Sequence, residues 1–215
     1  MVIGLFQLLI AALTVAWLKI FTKVEIEGQN HLAEVTKPLI VAANHEAHLD
    51  PQLVAIALLA KPKLFPLRYM AKDVFFRIPL FNFLIWLMGG FPAKKGKGIE
   101  RSLALPLSIL KRGGSVIIFP EGRMVIERPA LGEGRRGAAM LGLKTGAMIL
   151  PISLHSPRDL PPLPIIWGRP KITVRIGQPF RLDRTKLLPA EDRAVLEATK
   201  LIMQKIADLY YQHRY

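Results

Sequence analysis

A histidine and an aspartate five positions apart, within Asn44-His45-Glu46-Ala47-His48-Leu49-Asp50, are the pair in this chain best suited to proton transfer. Imidazole titrates near neutral pH, and a carboxylate behind it fixes its tautomer and favours its protonated form, as a general base requires. A second candidate is Phe119-Pro120-Glu121-Gly122-Arg123, where an apolar run breaks into a tight turn carrying an acid and a guanidinium. Glu121 can accept hydrogen bonds from substrate hydroxyls or position a basic side chain. Arg123 can grip phosphate through a bidentate fork. Each group also has a plainer role: Asp50 as a helix cap, Pro120 and Gly122 as an ordinary turn.

Five histidines and six aspartates among 215 residues produce the His-x4-Asp spacing by chance about 0.14 times per chain. Spacing alone is therefore weak, and context has to strengthen it. Residues five apart on a continuous helix point well away from one another. The two side chains meet only if His45 lies in the turn before a helix that opens at Asp50-Pro51, a favourable start. A carboxylate has oxygens enough both to cap that helix and to hold the imidazole. His45 and His48 as a metal pair lack a third ligand at a recognisable spacing.

The elements around these motifs read as alternating strands and helices. Lys23–Glu27 alternates as a strand does, and 38–43 is a short apolar run delivering His45 at its carboxyl end, where ligands of α/β sheets gather. A helix over 50–60 follows. Then come a strand at 68–70, a short helix at 72–77, and an uncharged helix at 79–88 that reads best as a core helix. A flexible basic loop over 91–98, carrying Lys94, Lys95 and Lys97, is next, then a helix over 98–112 interrupted at Pro106. Ser115–Phe119 is β-branched and strand-like. Residues 134–145 form a small-residue helix preceded by Arg135 and Arg136, further candidate anion contacts. Met148–His155 is a strand, and 165–167 with 171–176 predict a hairpin. A last helix runs from Pro189 towards Tyr211, with Val195, Thr199, Ile202, Ile206 and Leu209 on one face. The pattern predicts a single α/β domain with a mixed sheet flanked by helices, residues 23–215, after an N-terminal segment at 1–22.

That N-terminal segment carries no charge before Lys19. As a helix through Phe21 it is about 30 Å long, close to the bilayer's hydrocarbon thickness. It lacks the basic start and small-residue cleavage site of a signal peptide. It predicts attachment at the cytoplasmic face of the cell membrane, either spanning, with Lys19 and Lys23 retained inside, or half-sunk in the leaflet. The chain is 51% hydrophobic with a net charge of +14, which favours anionic lipid headgroups, phosphorylated substrates or nucleic acid as partners. It has no cysteine, so disulfides, thiolate metal sites and a thiol nucleophile are excluded. No Gly-x-Ser-x-Gly elbow or nucleotide P-loop occurs, leaving direct transfer of an activated acyl group to a hydroxyl as the simplest chemistry.

With these residues assembled, the chain resembles the glycerolipid acyltransferases of the 1-acylglycerol-3-phosphate (lysophosphatidic acid) type. Asn44, His45 and Asp50 match that family's Asn-His-x-x-x-x-Asp, and Phe119-Pro120-Glu121-Gly122 matches its Phe-Pro-Glu-Gly. Gly89-Gly90-Phe91-Pro92-Ala93-Lys94-Lys95 is similar to its second motif and Ile149-Leu150-Pro151-Ile152 to its fourth. The resemblance implies a membrane O-acyltransferase of phospholipid biosynthesis. His45 would be the general base and Asp50 its partner. Glu121 and Gly122 would shape the acceptor site, with Arg123, Lys94 and Lys95 near its phosphate. It implies no cofactor, acyl-CoA or acyl-carrier protein as donor substrate, a lysophospholipid acceptor, an anionic membrane surface and no nucleic acid. Ala47 stands where serine is frequent, and Arg123-Met124 replaces Thr-Arg, so the acceptor extends to glycerol 3-phosphate or another lipid alcohol. Two other readings are a transacylase taking acyl groups from phospholipid, and a non-catalytic basic protein that binds membranes or nucleic acid; the latter shows no nucleic-acid module.

Overall fold

Six of the predicted strands, with a seventh at Gly90–Pro92, assemble into one sheet in a computed structural model that describes residues 2–93, 98–125, 131–155, 170–183 and 191–212. The strands are β1 Lys23–Glu27, β2 Leu39–Ala43, β3 Leu67–Ala71, β4 Gly90–Pro92, β5 Ser115–Ile118, β6 Met148–His155 and β7 Lys171–Ile176. Their order is β1-β7-β6-β2-β5-β3-β4, and every pairing is parallel except β6 with β7. The sheet is therefore mixed, as the alternating pattern requires.

β2 lies between β5 and β6 and all five of its residues are buried, which is why it reads as an unbroken apolar run. Its side chains alternate between two cores. Leu39, Val41 and Ala43 face a cluster containing α1 (Val2–Phe21) and α2 (Asp50–Ala57). Ile40 and Ala42 face α4 (Gly98–Lys111), α5 (Gly137–Thr145) and α6 (Glu191–Tyr211). Ala42 is in register with Ile118 and Ala43 with Ile152. The chain segments leaving β2, β5 and β6 therefore emerge side by side at one edge of the sheet.

α1 is 20 residues long and, by length and composition, the one helix among the described residues able to cross a membrane. It is packed onto the domain along a narrow stripe of Gly4, Gln7, Ala11 and Leu18. The Gln7 amide donates to the carbonyls of Leu67 and Met88 at 2.7 Å each, and its oxygen accepts the Leu67 amide at 2.9 Å. Gly89, at φ +91°, makes room: a Cβ there would lie 2.2 Å from Gln7 Nε2 and 2.1 Å from the Leu67 carbonyl oxygen.

Several details depart from expectation. α3 (Phe81–Leu87) is not a core helix, since only Ile85 is buried while Phe81, Phe83, Leu84 and Trp86 are exposed. An uncharged run establishes that a helix avoids charge and leaves open what covers it. α4 is unbroken through Pro106. The segment from Phe91, expected to open the basic loop, belongs instead to a three-residue edge strand, Gly90–Pro92, beside β3. β7 pairs with β1 and β6, and the expected partner strand at 165–167 lies outside the described residues, as does the loop 94–97. The predicted face of α6 is buried at Val195, Thr199, Ile202 and Ile206.

Candidate active site

His45 occupies the turn between β2 and α2, and that turn is tied from Asn44 through Ala47. Asn44 turns its amide sideways onto β6, donating to the Leu154 carbonyl at 2.9 Å and accepting the Leu154 amide at 2.7 Å. The His45 amide donates to Glu121 Oε2 at 2.8 Å, and its carbonyl accepts the Val125 amide at 2.9 Å. The Glu46 and Ala47 amides both donate to Asp50 Oδ2, at 2.6 and 2.8 Å.

The same Asp50 oxygen lies 2.9 Å from His45 Nδ1. Asp50 is fully buried, whereas the His45 side chain keeps 21% of its surface open. Facing a carboxylate, Nδ1 carries the proton and donates it, which leaves the lone pair on Nε2. Phe119 stacks on the imidazole with centroids 4.3 Å apart and 20° between planes, so ring orientation is set from two sides. Asp50 does not cap α2: the amides of Gln52 and Leu53 bond to the Leu49 carbonyl, and no side-chain cap is made. Its carboxylate points backwards into the turn instead, a more specific role than the expected cap.

Glu121 is buried, and both its oxygens are engaged by backbone: Oε2 by His45, Oε1 by the Gly132 amide at 2.7 Å. Burial pushes its carboxyl group above the ordinary range; the two amides and the nearby imidazole oppose that shift, and Glu46 reinforces it. Glu121 thus joins the His45 turn to the loop that follows β5. Gly122 sits at φ +67°, and a Cβ there would come within 2.6 Å of Arg135 Cδ. Only glycine allows that turn and that side chain together. Arg123 and Arg135 are both exposed on either side of it.

Of the predicted residues, the fold brings His45, Asp50, Glu121, Gly122 and Arg123 to one edge; Lys94 and Lys95 lie outside the described residues. His48 is exposed, and no group of three or more potential metal ligands occurs among the described residues. Arg136 pairs with Asp192 at 2.8 Å in a largely exposed bridge, whereas Arg135 lies against the Gly122 turn. Ala47 is buried, so its methyl group presents no surface to a substrate. Two participants escaped sequence reasoning. Gly132 supplies an amide from a loop without a motif, and Tyr210 donates to Glu46 Oε1 at 2.6 Å from 164 positions away. Only the acidic residue beside His45 hinted at a partner.

An arrangement with an oriented, partly open imidazole and an exposed basic rim can deprotonate a hydroxyl on an anionic molecule. The comparisons agree in kind. A family model described as Acyltransferase matches residues 23–155. The chain is 29% identical over 178 residues to the chloroplast 1-acyl-sn-glycerol-3-phosphate acyltransferase LPAT1 of Arabidopsis thaliana, covering 81% of this chain and 48% of that protein. It is 24% identical over 170 residues to the 1-acyl-sn-glycerol-3-phosphate acyltransferase of Bacillus subtilis, covering 79% and 80%. It spans about half the length of the chloroplast relatives it matches. Among solved structures, the 1-acyl-sn-glycerophosphate acyltransferase PlsC of Thermotoga maritima shares the fold, with a TM-score of 0.67 and 22% identity over 99% of this chain and 79% of that one. The chain belongs to the Acyltransferase family.

Proposed function

We propose that this protein transfers a fatty acyl group from acyl-CoA or acyl-carrier protein to the free hydroxyl of 1-acylglycerol-3-phosphate, in phospholipid synthesis. The observation that carries the reading is the His45–Asp50 contact at 2.9 Å, with Asp50 buried and His45 partly open. The relatives' names supply the substrate class. In the reaction, His45 Nε2 takes the hydroxyl proton as the acceptor oxygen attacks the thioester carbonyl carbon. The C–S bond then breaks, and the leaving thiolate recovers the proton from the imidazolium. Asp50 holds the ring and stabilises that imidazolium. Arg123 at the Gly122 turn, with Lys94 and Lys95, would hold the acceptor phosphate, while Glu121 and Gly122 shape its seat.

The reaction is assigned to the cytoplasmic face of the membrane, with α1 lying in one leaflet rather than crossing it. The clasp at Gln7 and the packing from Gly4 to Leu18 along the domain support this placement. Its opposite stripe, Val2, Leu5, Leu9, Leu13, Trp17 and Ile20, is exposed, and α3 adds a second apolar surface. Lys72 and Arg77 precede α3 and are exposed, suited to anionic headgroups.

The reading is tested by incubating full-length protein in vesicles with a panel of lysolipids and acyl thioesters, with products identified by mass spectrometry. Phosphatidic acid formed from 1-acylglycerol-3-phosphate and a thioester is the expected product. Transfer only to other acceptors, or transfer from phospholipid without a thioester, contradicts it.

A further inference from the structure

The C-terminal end of α6 reaches both motif loops. Tyr210 is buried, and its ring stacks on His155 at the end of β6, with centroids 4.1 Å apart and 22° between planes. From there its hydroxyl donates to Glu46 Oε1 at 2.6 Å. Glu46 is itself buried, immediately follows His45, and contributes one of the two amides that hold Asp50. The next residue, Tyr211, accepts the Leu131 amide at 3.4 Å. Leu131 is the neighbour of Gly132, whose amide engages Glu121. Gly134 is pressed against Met203 of the same helix, since a Cβ there would lie 2.3 Å from Met203 Cγ. Two consecutive tyrosines thus touch the two loops that Glu121 joins.

We propose that Tyr210 is a positioning residue for acyl transfer: through Glu46 it fixes the backbone of the His45 turn, and so the alignment of imidazole with carboxylate. The physical ground is the burial of three carboxylates, Glu46, Asp50 and Glu121, around one imidazole. A buried carboxylate that loses one of its donors has to replace it or shift. Glu46 has two backbone neighbours committed to the catalytic pair, its own amide and that of Ala47, both on Asp50 Oδ2. Any swing of Glu46 therefore pulls on the atom that holds His45 Nδ1. Without the tyrosine hydroxyl the pair can still form, but it is no longer held in one geometry, and a sub-ångström misplacement lowers rate rather than binding. The Tyr210 hydroxyl acts on Glu46 and the His45 turn, not on the phosphate rim proposed at Gly122 and Arg123, so acceptor affinity should be spared.

This inference rests on the acyl-transfer reading, and its test separates the two. Full-length wild type, His45→Ala, Tyr210→Phe, Glu46→Ala, Glu46→Gln and the Tyr210→Phe/Glu46→Ala double variant are assayed in vesicles with 1-acylglycerol-3-phosphate and an acyl-CoA. The His45 Nδ1–H signal is followed in parallel by NMR on histidine-labelled protein. Tyr210→Phe keeps the ring on His155 and should lower kcat roughly tenfold with KM unchanged. Glu46→Ala should lose a similar factor, the double variant should lose no more than either single change, and Glu46→Gln should recover most of the loss because its amide oxygen still accepts the tyrosine proton. The Nδ1–H signal should shift or broaden in Tyr210→Phe. A kcat within twofold of wild type, a loss confined to KM, additive losses in the double variant, or an unmoved Nδ1–H signal overturns the proposal. If wild type forms no product, or His45→Ala remains active, it is the acyl-transfer reading that fails, and the NMR signal still decides the role of Tyr210.

Discussion

At the level of single residues, Asp50 carries the heaviest duty, because one buried oxygen receives the imidazole and two backbone amides. Asp50→Asn can seat its amide oxygen on the two backbone amides and Nδ1–H, but it loses the negative charge that holds the ring and stabilises the imidazolium. A fall in kcat of roughly 10²–10⁴-fold is expected, and circular dichroism should show α2 intact, since Asp50 makes no cap bond to it. Gly122→Ala is expected to act differently. Its Cβ meets Arg135 and requires a strained positive φ, so unfolding free energy should drop by about 1–2 kcal/mol, measured by denaturant titration, with a rise in KM for the anionic acceptor. Glu121 predicts a pH effect. Its carboxyl group titrates above the ordinary range because it is buried, so the folded chain keeps a proton that the unfolded chain has already lost. Stability should therefore fall as pH rises through the window just above the usual glutamate range, and Glu121→Gln should remove that slope.

The elements explain how much of this was legible beforehand. β2 and β5 are buried on both faces, so their apolar runs stand out, and the motifs at their carboxyl ends mark the sheet edge where the site lies. His45 and Asp50 are local to one turn, and spacing with an Asp-Pro helix start was enough to bring them together. Glu46 and Tyr210 are not local; their contact depends on α6 folding back over β6, which no spacing records. The surface of α3 was likewise illegible, because apolar composition is the same whether a helix meets core or lipid. Leu80, at its tip, shows the difference: it is 81% exposed and holds φ +66°, a costly conformation for a branched side chain. Leu80→Gly should leave the melting temperature unchanged or raise it, since glycine accepts that φ. It should also weaken vesicle binding roughly 10- to 150-fold, from loss of a burial contribution of about 1.5–3 kcal/mol. Unchanged vesicle affinity in a co-sedimentation assay contradicts a lipid-facing α3.

Across the whole molecule, a basic α/β domain presents two apolar surfaces, the outer stripe of α1 and the tip of α3, while its reactive edge opens beside exposed arginines. With a net charge of +14, binding to vesicles should require anionic lipid and weaken as salt rises from low to physiological concentration. Trp17 and Trp86, both exposed on these surfaces, should be quenched by lipids brominated at shallow positions. The proposed chemistry depends above all on His45 as the base. Its most direct test is the rate of acyl transfer by His45→Ala, measured beside wild type on protein of matched circular dichroism, melting temperature and vesicle binding. Loss of turnover by at least about 10²-fold with fold and binding retained is the predicted result; turnover close to wild type would contradict it.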